Sequence, residues 1–226
     1  MKLTYYGHAS FGVEVGGKHL LFDPFITPND KAKHIDIKQI KADYILVTHG
    51  HGDHIADVVA IAEHTGATVI GTPEVLNWLK KKGDLKHTHE MNFGSADFEF
   101  GRVSFVPATH SSGLPDGSYG GNPGGYVIAS AGGNFYFAGD TALTMDMQLI
   151  PHYAKVDFAV LPIGGNYTMD AKDAVKASDF IGCNKIVGVH YDTFSVITID
   201  KEQAKTLFRM AEKELLLPDI GESIDL

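Results

Sequence analysis

Thr48-His49-Gly50-His51-Gly52-Asp53-His54 places three histidines and an aspartate within six positions, with only glycine between them. The preceding run, Asp43 to Val47, has the apolar content of a short strand, and after it Ile55, Val58, Val59 and Ala62 recur at helical spacing. The imidazoles and the carboxylate are therefore concentrated in a strand-to-helix turn. In its extended part His49 and His51 are two residues apart and can face the same way. Asp53 falls where a helix should begin, and a carboxylate there meets free N–H groups and the positive end of the helix dipole. The glycines let the backbone wrap closely, so one short loop could serve two ions. Four donors do not complete a dinuclear site, and the remainder must come from elsewhere in the chain.

Working outward, the same event recurs: an apolar strand ends and a histidine or aspartate stands at its C-terminal edge. Arg102 to Pro107 leads to His110, Asn134 to Ala138 leads to Asp140, and Lys185 to Val189 leads to His190. With sheets side by side and helices outside, these ends gather along one rim, where sheet proteins commonly build ligand sites. Val156 to Pro162 ends in the same way ahead of Asn166 and Tyr167, and Tyr191 follows His190. These three residues are candidate substrate contacts.

Toward the N-terminus, Lys2 to Tyr6, Phe11 to Val15 and His19 to Phe22 are β-prone runs broken by Gly7 and by a Gly16-Gly17 turn. His8 lies in the first break, and Asp23-Pro24 closes the third strand. Helices are expected from about Ile55 to His64, from Pro73 behind a Thr72 N-cap to the lysines at 80–82, from near Asp170 to about Ile181, and from Asp200 to about Leu217. Asp97 to Phe100 and Tyr126 to Ser130 read as further strands. Gly117 to Gly125 lacks the Lys-Ser/Thr ending of a phosphate-binding loop and reads as an irregular rim. His87 and His89 alternate on an edge strand with no neighbouring acid or glycine turn, and are assigned to structure rather than to metal. The order of strands, helices, strands, helices suits two αβ halves packed sheet to sheet.

The 226 residues are 44% hydrophobic and 21% charged, enough to bury a sizeable core, and residues 1–226 are expected to form one domain. A net charge of −9 and a pI near 5.7 argue against a phosphate-tracking surface, so nucleic acid is not an expected partner. Cys183 is the sole cysteine, which rules out an intramolecular disulfide, fits a reducing compartment and reads as buried filler. Neither a signal peptide nor a run of ~18 apolar residues is visible. A cytoplasmic location away from membranes is expected, with homo-oligomerisation a reasonable expectation.

The run His49-Gly50-His51-Gly52-Asp53-His54, followed in order by His110, Asp140 and His190, resembles the HxHxDH signature and later ligands of the metallo-β-lactamase superfamily. The resemblance spans Asp23 to His190. It implies an α/β fold of four layers, an αββα sandwich, with a dinuclear centre at one edge. It further implies that His49, His51 and His110 hold the first metal, that Asp53, His54 and His190 hold the second, and that Asp140 bridges them. Asp23 would support the ligands from behind. Tyr6-Gly7-His8-Ala9-Ser10-Phe11 and Phe22-Asp23-Pro24 are similar to a bacterial group of small metal-dependent hydrolases related to ascorbate-6-phosphate lactonase. By that resemblance His8 would point into the active cleft. The chain is too short for the extra helical domain of glyoxalase II or the inserted domain of the RNA-cleaving members. It also lacks a flavodoxin module, and His51 stands where the oxygen-reducing diiron relatives carry Glu.

Five imidazoles and two carboxylates form a borderline donor set that suits zinc, taken as the default, and also accepts manganese, iron, cobalt or nickel. The expected chemistry is hydrolysis of a small-molecule substrate. A hydroxide held by two divalent ions, its pKa lowered from about 15.7 towards ~7, would attack a small ester or lactone, phosphorylated or not. Asp53 would orient that nucleophile, and His8 would donate a hydrogen bond or proton to the departing oxygen. A phosphodiester is the alternative substrate for the same centre. The alternative of a different class is a metal-dependent binding or sensor protein without turnover. Fold does not determine chemistry, and β-lactams are not an expected substrate.

Overall fold

Buried and more exposed residues alternate along Lys2–Gly7, as a strand covered on one face requires, whereas Phe158–Pro162 is buried at every position and must lie inside a sheet covered on both. The computed structural model describes residues 1–226. Its strands are β1 (Lys2–Gly7), β2 (Ser10–Val15), β3 (Lys18–Phe22), β4 (Tyr44–Leu46), β5 (Thr68–Gly71), β6 (Thr88–Glu90) and β7 (Gly94–Phe98), then β8 (Gly101–Pro107), β9 (Gly124–Ser130), β10 (Gly133–Phe137), β11 (Phe158–Pro162), β12 (Lys185–Val189), β13 (Glu214–Leu216) and β14 (Ser223–Asp225). Its helices are α1 (Gly52–Ile55), α2 (Val58–Thr65), α3 (Pro73–Leu79), α4 (Ile150–Tyr153), α5 (Ala171–Ile181) and α6 (Lys201–Met210).

Two seven-stranded sheets result, in the orders β14-β1-β2-β3-β4-β5-β6 and β13-β12-β11-β10-β9-β8-β7. In the first, β2 is antiparallel to β1 and β3, and β3 to β6 are parallel, so β1, β3 and β4 all end at one edge. In the second, β9 is antiparallel to β8 and β10, and β10 to β12 are parallel, so β8, β10, β11 and β12 end together. The two edges coincide, since the N–H of His190, after β12, donates to the carbonyl of His8, after β1, at 2.8 Å.

Between the sheets lies an apolar layer in which Phe11 stacks on Phe22 at 4.7 Å and meets Phe137 edge-on at 4.9 Å. Tyr126 turns its hydroxyl to the Val47 carbonyl at 2.8 Å, tying the second sheet to the first just ahead of the histidine loop. Outer layers complete the αββα sandwich: α2 and α3 cover the first sheet through Val58, Ile61, Val75 and Leu76, and α5 and α6 cover the second through Ala174, Ala177, Ala204 and Phe208. Asp170 starts α5 by accepting the Lys172 and Asp173 N–H groups, and Asp200 starts α6 in the same way.

Two expected helices are corrected. The helix predicted over 55–64 is two, α1 and α2, interrupted at Asp57, whose carboxylate accepts the N–H groups of Ile26 and Thr27 at 2.6 and 2.8 Å. That tertiary bond outweighs helical continuity. The last helix stops at Met210 rather than near Leu217, because Leu215 and Leu216 extend into β13 and pair in parallel with β12. The strand β14 and the short helix α4 carried no clear signal in the sequence. No helix is long and apolar enough to cross a membrane.

Candidate metal centre

Each strand that ends at the shared edge delivers a polar side chain just beyond it: His8 after β1, Asp23 after β3, His49 after β4, His110 after β8, Asp140 after β10 and His190 after β12. The loop after β4 also carries His51, Asp53 and His54, the last two in the first turn of α1. His8, Asp23 and His190 adopt positive φ angles of 53°, 40° and 56°. Such a conformation costs a non-glycine residue about 1–3 kcal/mol and persists only where the surroundings hold it. At His8 and His190 the backbone bond between them and the Tyr5 hydroxyl on the His8 carbonyl at 3.0 Å hold it, and at Asp23 the N–H bond to the Leu46 carbonyl at 3.1 Å does.

Hydrogen bonding behind the site decides which ring nitrogens face inward. Asp23 Oδ2 accepts the Thr48 hydroxyl at 2.6 Å, while Oδ1 accepts the Thr48 N–H at 2.8 Å. The single hydroxyl proton being committed to Asp23, the Thr48 oxygen accepts from His49 Nδ1 at 2.9 Å, which leaves His49 Nε2 as a lone pair. Asp23 Oδ2 also accepts from His54 Nδ1 at 2.8 Å, leaving His54 Nε2 free on the inner side. One buried carboxylate thereby orients two imidazoles, a common arrangement behind metal ligands. His51 turns Nδ1 to within 2.9 Å of His49 Nε2 and is steadied by Ser111 Oγ, 3.2 Å from its Nε2.

The donors converge in two groups at the cleft, apart from the overlapping set of Asp23, His49 and His54 behind them. Ligand-type atoms of His49, His51 and His110 all lie within 4.8 Å of one another, as do those of His8, Asp53, His54 and His190. Between them, Asp140 Oδ2 is 3.0 Å from His190 Nε2, 3.3 Å from His54 Nε2, 3.5 Å from His110 Nε2 and 4.0 Å from His49 Nε2. His54 Nε2, Asp140 Oδ1 and His190 Nδ1 are buried without a hydrogen-bond partner. Unpaired buried polar atoms are costly, and facing imidazole lone pairs around a carboxylate are a set that a divalent cation satisfies. The residues present therefore fit a metal.

Electrostatics agree with that fit at most of the donors; His54 is the exception, because although burial would lower it, Asp140 and Asp23 hold its imidazole well above the ordinary pKa, so a metal there must displace its proton. Burial pushes the His49 imidazole well below its ordinary pKa, with His54 adding to the effect, and burial also lowers His51 and His110. Neutral imidazole is the form that binds metal. Burial would raise Asp140, but His54 and His190 outweigh it and hold the carboxyl well below the usual range. For Asp53, likewise, the hydrogen bond from His8 and the charge of His54 overcome burial and favour the carboxylate.

Above the donors opens a cleft of about 580 Å³ whose lining includes His51, Asp53, His110, Asp140 and His190. Of the candidate substrate contacts, Tyr167 lines it. Asn166 does not, and Tyr191 is a correction: it is buried against Tyr5 and faces a smaller cavity behind His8, because the turn at His190 sends consecutive side chains to opposite sides. His8 is also placed differently from the expectation. Its ring is fully buried, does not line the cleft, and spends both nitrogens on neighbours, Nε2 on Asp53 at 3.0 Å and Nδ1 on Thr193 at 2.9 Å. Burial pushes it down to about 4 despite Asp53. Phe25, Ser111 and Phe194 line the cleft and had escaped the reading of the sequence; each adjoins a candidate ligand loop, the only signal that pointed to them. His87 and His89 lie outside these groups, His89 packing edge-on to Phe98 at 4.9 Å.

Comparison with known proteins places this arrangement. A family profile described as a beta-lactamase superfamily domain matches residues 18–191. UPF0173 metal-dependent hydrolases from Flavobacterium johnsoniae and Methylacidiphilum infernorum are 55% and 44% identical to the chain over 227 residues, with both chains covered in full in each case. Igni18, a metallo hydrolase from the archaeon Ignicoccus hospitalis, superposes with a TM-score of 0.88 at 36% identity, over 99% of this chain and 97% of that one. An isothiocyanate hydrolase from Delia radicum gut bacteria shares the fold, with a TM-score of 0.82 at 18% identity over 100% and 99% of the two chains. With profile, relatives and fold in agreement, the chain belongs to the metallo-β-lactamase superfamily, among its UPF0173 metal-dependent hydrolases.

Proposed function

We propose that the protein hydrolyses a small ester or lactone at a dinuclear centre, with zinc as the default metal. His49, His51 and His110 would hold one ion, Asp53, His54 and His190 the other, and Asp140 would lie between them. The observation that carries this reading is the position of Asp140 Oδ2, within 4.0 Å of imidazoles from both groups. Two divalent ions so held would supply an activated water at neutral pH and polarise a substrate carbonyl.

The chain's own residues supply the rest. Asp53 keeps a side chain 27% exposed at the cleft while its Oδ2 accepts from His8 Nε2, so it is aimed at the reacting oxygen and held there from behind. Because Asp53 is an acceptor, His8 carries its proton on Nε2, and the Thr193 hydroxyl, 2.9 Å from Nδ1, gives its one proton there in preference to the Tyr191 carbonyl at 3.4 Å. His8 thus acts through Asp53, as a positioning residue, rather than on the leaving group. Ser111 and Tyr167 line the cleft, and their hydroxyls would serve substrate oxygens.

Purified protein reconstituted with zinc or manganese should hydrolyse p-nitrophenyl acetate or a simple γ-lactone, lose the activity to chelator and regain it on metal return. Turnover of bis-p-nitrophenyl phosphate alone would move the assignment to a phosphodiesterase. Metal uptake without turnover of any of the three would favour a binding or sensor protein.

A further inference from the structure

Phe25, Tyr167 and Phe194 line the cleft and have no part in holding metal. Phe25 follows Asp23-Pro24 at the edge of the first sheet, and Phe194 follows His190 at the edge of the second. Their ring centroids are 6.5 Å apart, and each ring meets His8 edge-on, at 5.5 and 5.4 Å. The two rings therefore form one apolar wall that closes over the imidazole. The backbone beside each ring is held by hydrogen bonds. The loop of Phe194 is closed by Asp192 N–H on the Ile197 carbonyl at 2.9 Å and by Ile199 N–H on Asp192 Oδ1 at 3.1 Å. The segment after Phe25 is pinned by Asp57, which accepts from Ile26 and Thr27. Phe194 nevertheless remains 40% exposed and Tyr167 55%, so a good deal of aromatic surface is presented to whatever enters.

The charges facing the same space are equally informative. Apart from the ionisable groups of the metal centre, the lining consists of the three aromatic rings and Ser111, and it contains no lysine or arginine. The chain as a whole carries −9. An anionic group on a substrate, remote from the bond being cut, would be brought against aromatic edges and carboxylates with no cation to pair it, which is unfavourable. An aryl or bulky apolar group would instead meet the rings in offset or edge-to-face contact.

We infer that the cleft takes an uncharged ester or lactone bearing an aryl or bulky apolar group, packed on Phe25 and Phe194, and discriminates against substrates with a remote anionic group. This rests on the hydrolase reading above and narrows it, because phosphorylated substrates leave the class. Phe194 is a specificity-determining residue on this view.

The test compares three esters with one leaving group on the metal-loaded protein: p-nitrophenyl phenylacetate, p-nitrophenyl acetate and the mono-p-nitrophenyl ester of glutaric acid. Comparison by kcat/KM is used because non-productive binding of the carboxylate at the metals leaves that ratio unchanged. The phenylacetate should exceed the glutarate by about tenfold or more, the scale on which apolar pockets discriminate. Phe194→Ala should shrink the preference for phenylacetate over acetate by about tenfold, and Phe194→Trp should restore it. In parallel, saturation-transfer NMR should detect benzylacetone, an uncharged aryl ketone with no bond to hydrolyse, bound to the wild type and much weakened in Phe194→Ala. Esters cleaved without preference, or the glutarate cleaved best, would overturn the inference and leave the hydrolase reading standing. If no ester is cleaved while benzylacetone binds through Phe194, the pocket assignment survives and the hydrolase reading fails.

Discussion

Asp23 and His54, 31 residues apart and both fully buried, meet with the carboxylate Oδ2 2.8 Å from the imidazole Nδ1. Since Asp23 also accepts both donors of Thr48, it sets the inward-facing nitrogen of His54 directly and of His49 through the Thr48 hydroxyl. Asp23→Asn would place an amide with one acceptor oxygen where three donors converge. Metal affinity should fall by roughly 10–100-fold, the usual cost of losing such a partner. Competition with a chromophoric chelator measures it, and an unchanged affinity would refute the role given to Asp23.

His51 and His8 should separate sharply. His51→Ala removes an atom that faces the first group of donors, so the protein should bind one ion fewer per chain and lose nearly all activity. His8→Ala removes the support behind Asp53 and the ring on which Phe25 and Phe194 pack, but no proposed ligand, and should keep both ions with a rate lower by roughly 10–100-fold. Metal analysis and kcat/KM on the same preparations give the comparison. Equal losses in both variants would contradict the ordering.

Metal should also stabilise the fold, because the donors come from loops of both sheets. At a free metal concentration of about 100 times Kd, binding to the native state alone adds about 2.7 kcal/mol. For a chain of this size that corresponds to roughly 5–10 °C in Tm. Thermal unfolding with and without chelator should show that difference, growing with added metal. A Tm indifferent to chelator would mean that the cluster holds no ion in the native state.

Gly139 precedes Asp140 with φ at +63°, and a Cβ there would lie 2.6 Å from the Gly124 carbonyl and 3.0 Å from Thr48 Cβ. Gly139→Ala should therefore cost roughly 1–3 kcal/mol in urea unfolding. It should also reduce metal affinity, since relief of the clash moves either Asp140 or the Thr48 support of His49. Wild-type stability in this variant would show that the two sheets have slack where they meet.

Much of the site was legible because it is local. Three histidines and an aspartate stand in one turn, and His110, Asp140 and His190 each follow an apolar run that can hardly be anything but a strand. Most strands fall within a residue or two of their expected bounds for the same reason, since alternation and turn residues act over a few positions. What was misread depended on distant partners. Asp57 breaks a helical pattern to bind backbone at Ile26 and Thr27, and Leu215 and Leu216 leave one to pair with β12. His8 looked like a cleft residue from its motif, yet Asp53, Thr193 and the two phenyl rings enclose it.

By itself the chain's order of residues determined the candidate donors, the strand ends that carry them and the layered αββα class, because periodic burial and turn chemistry are written in short segments. Only the tertiary structure decided that the edges of two sheets coincide, that Asp140 stands among imidazoles from both groups, and that Phe25 and Phe194 wall the cleft. Those relations join loops separated by up to about 180 positions, and they depend on how the two sheets pack face to face, which no local pattern of residues encodes.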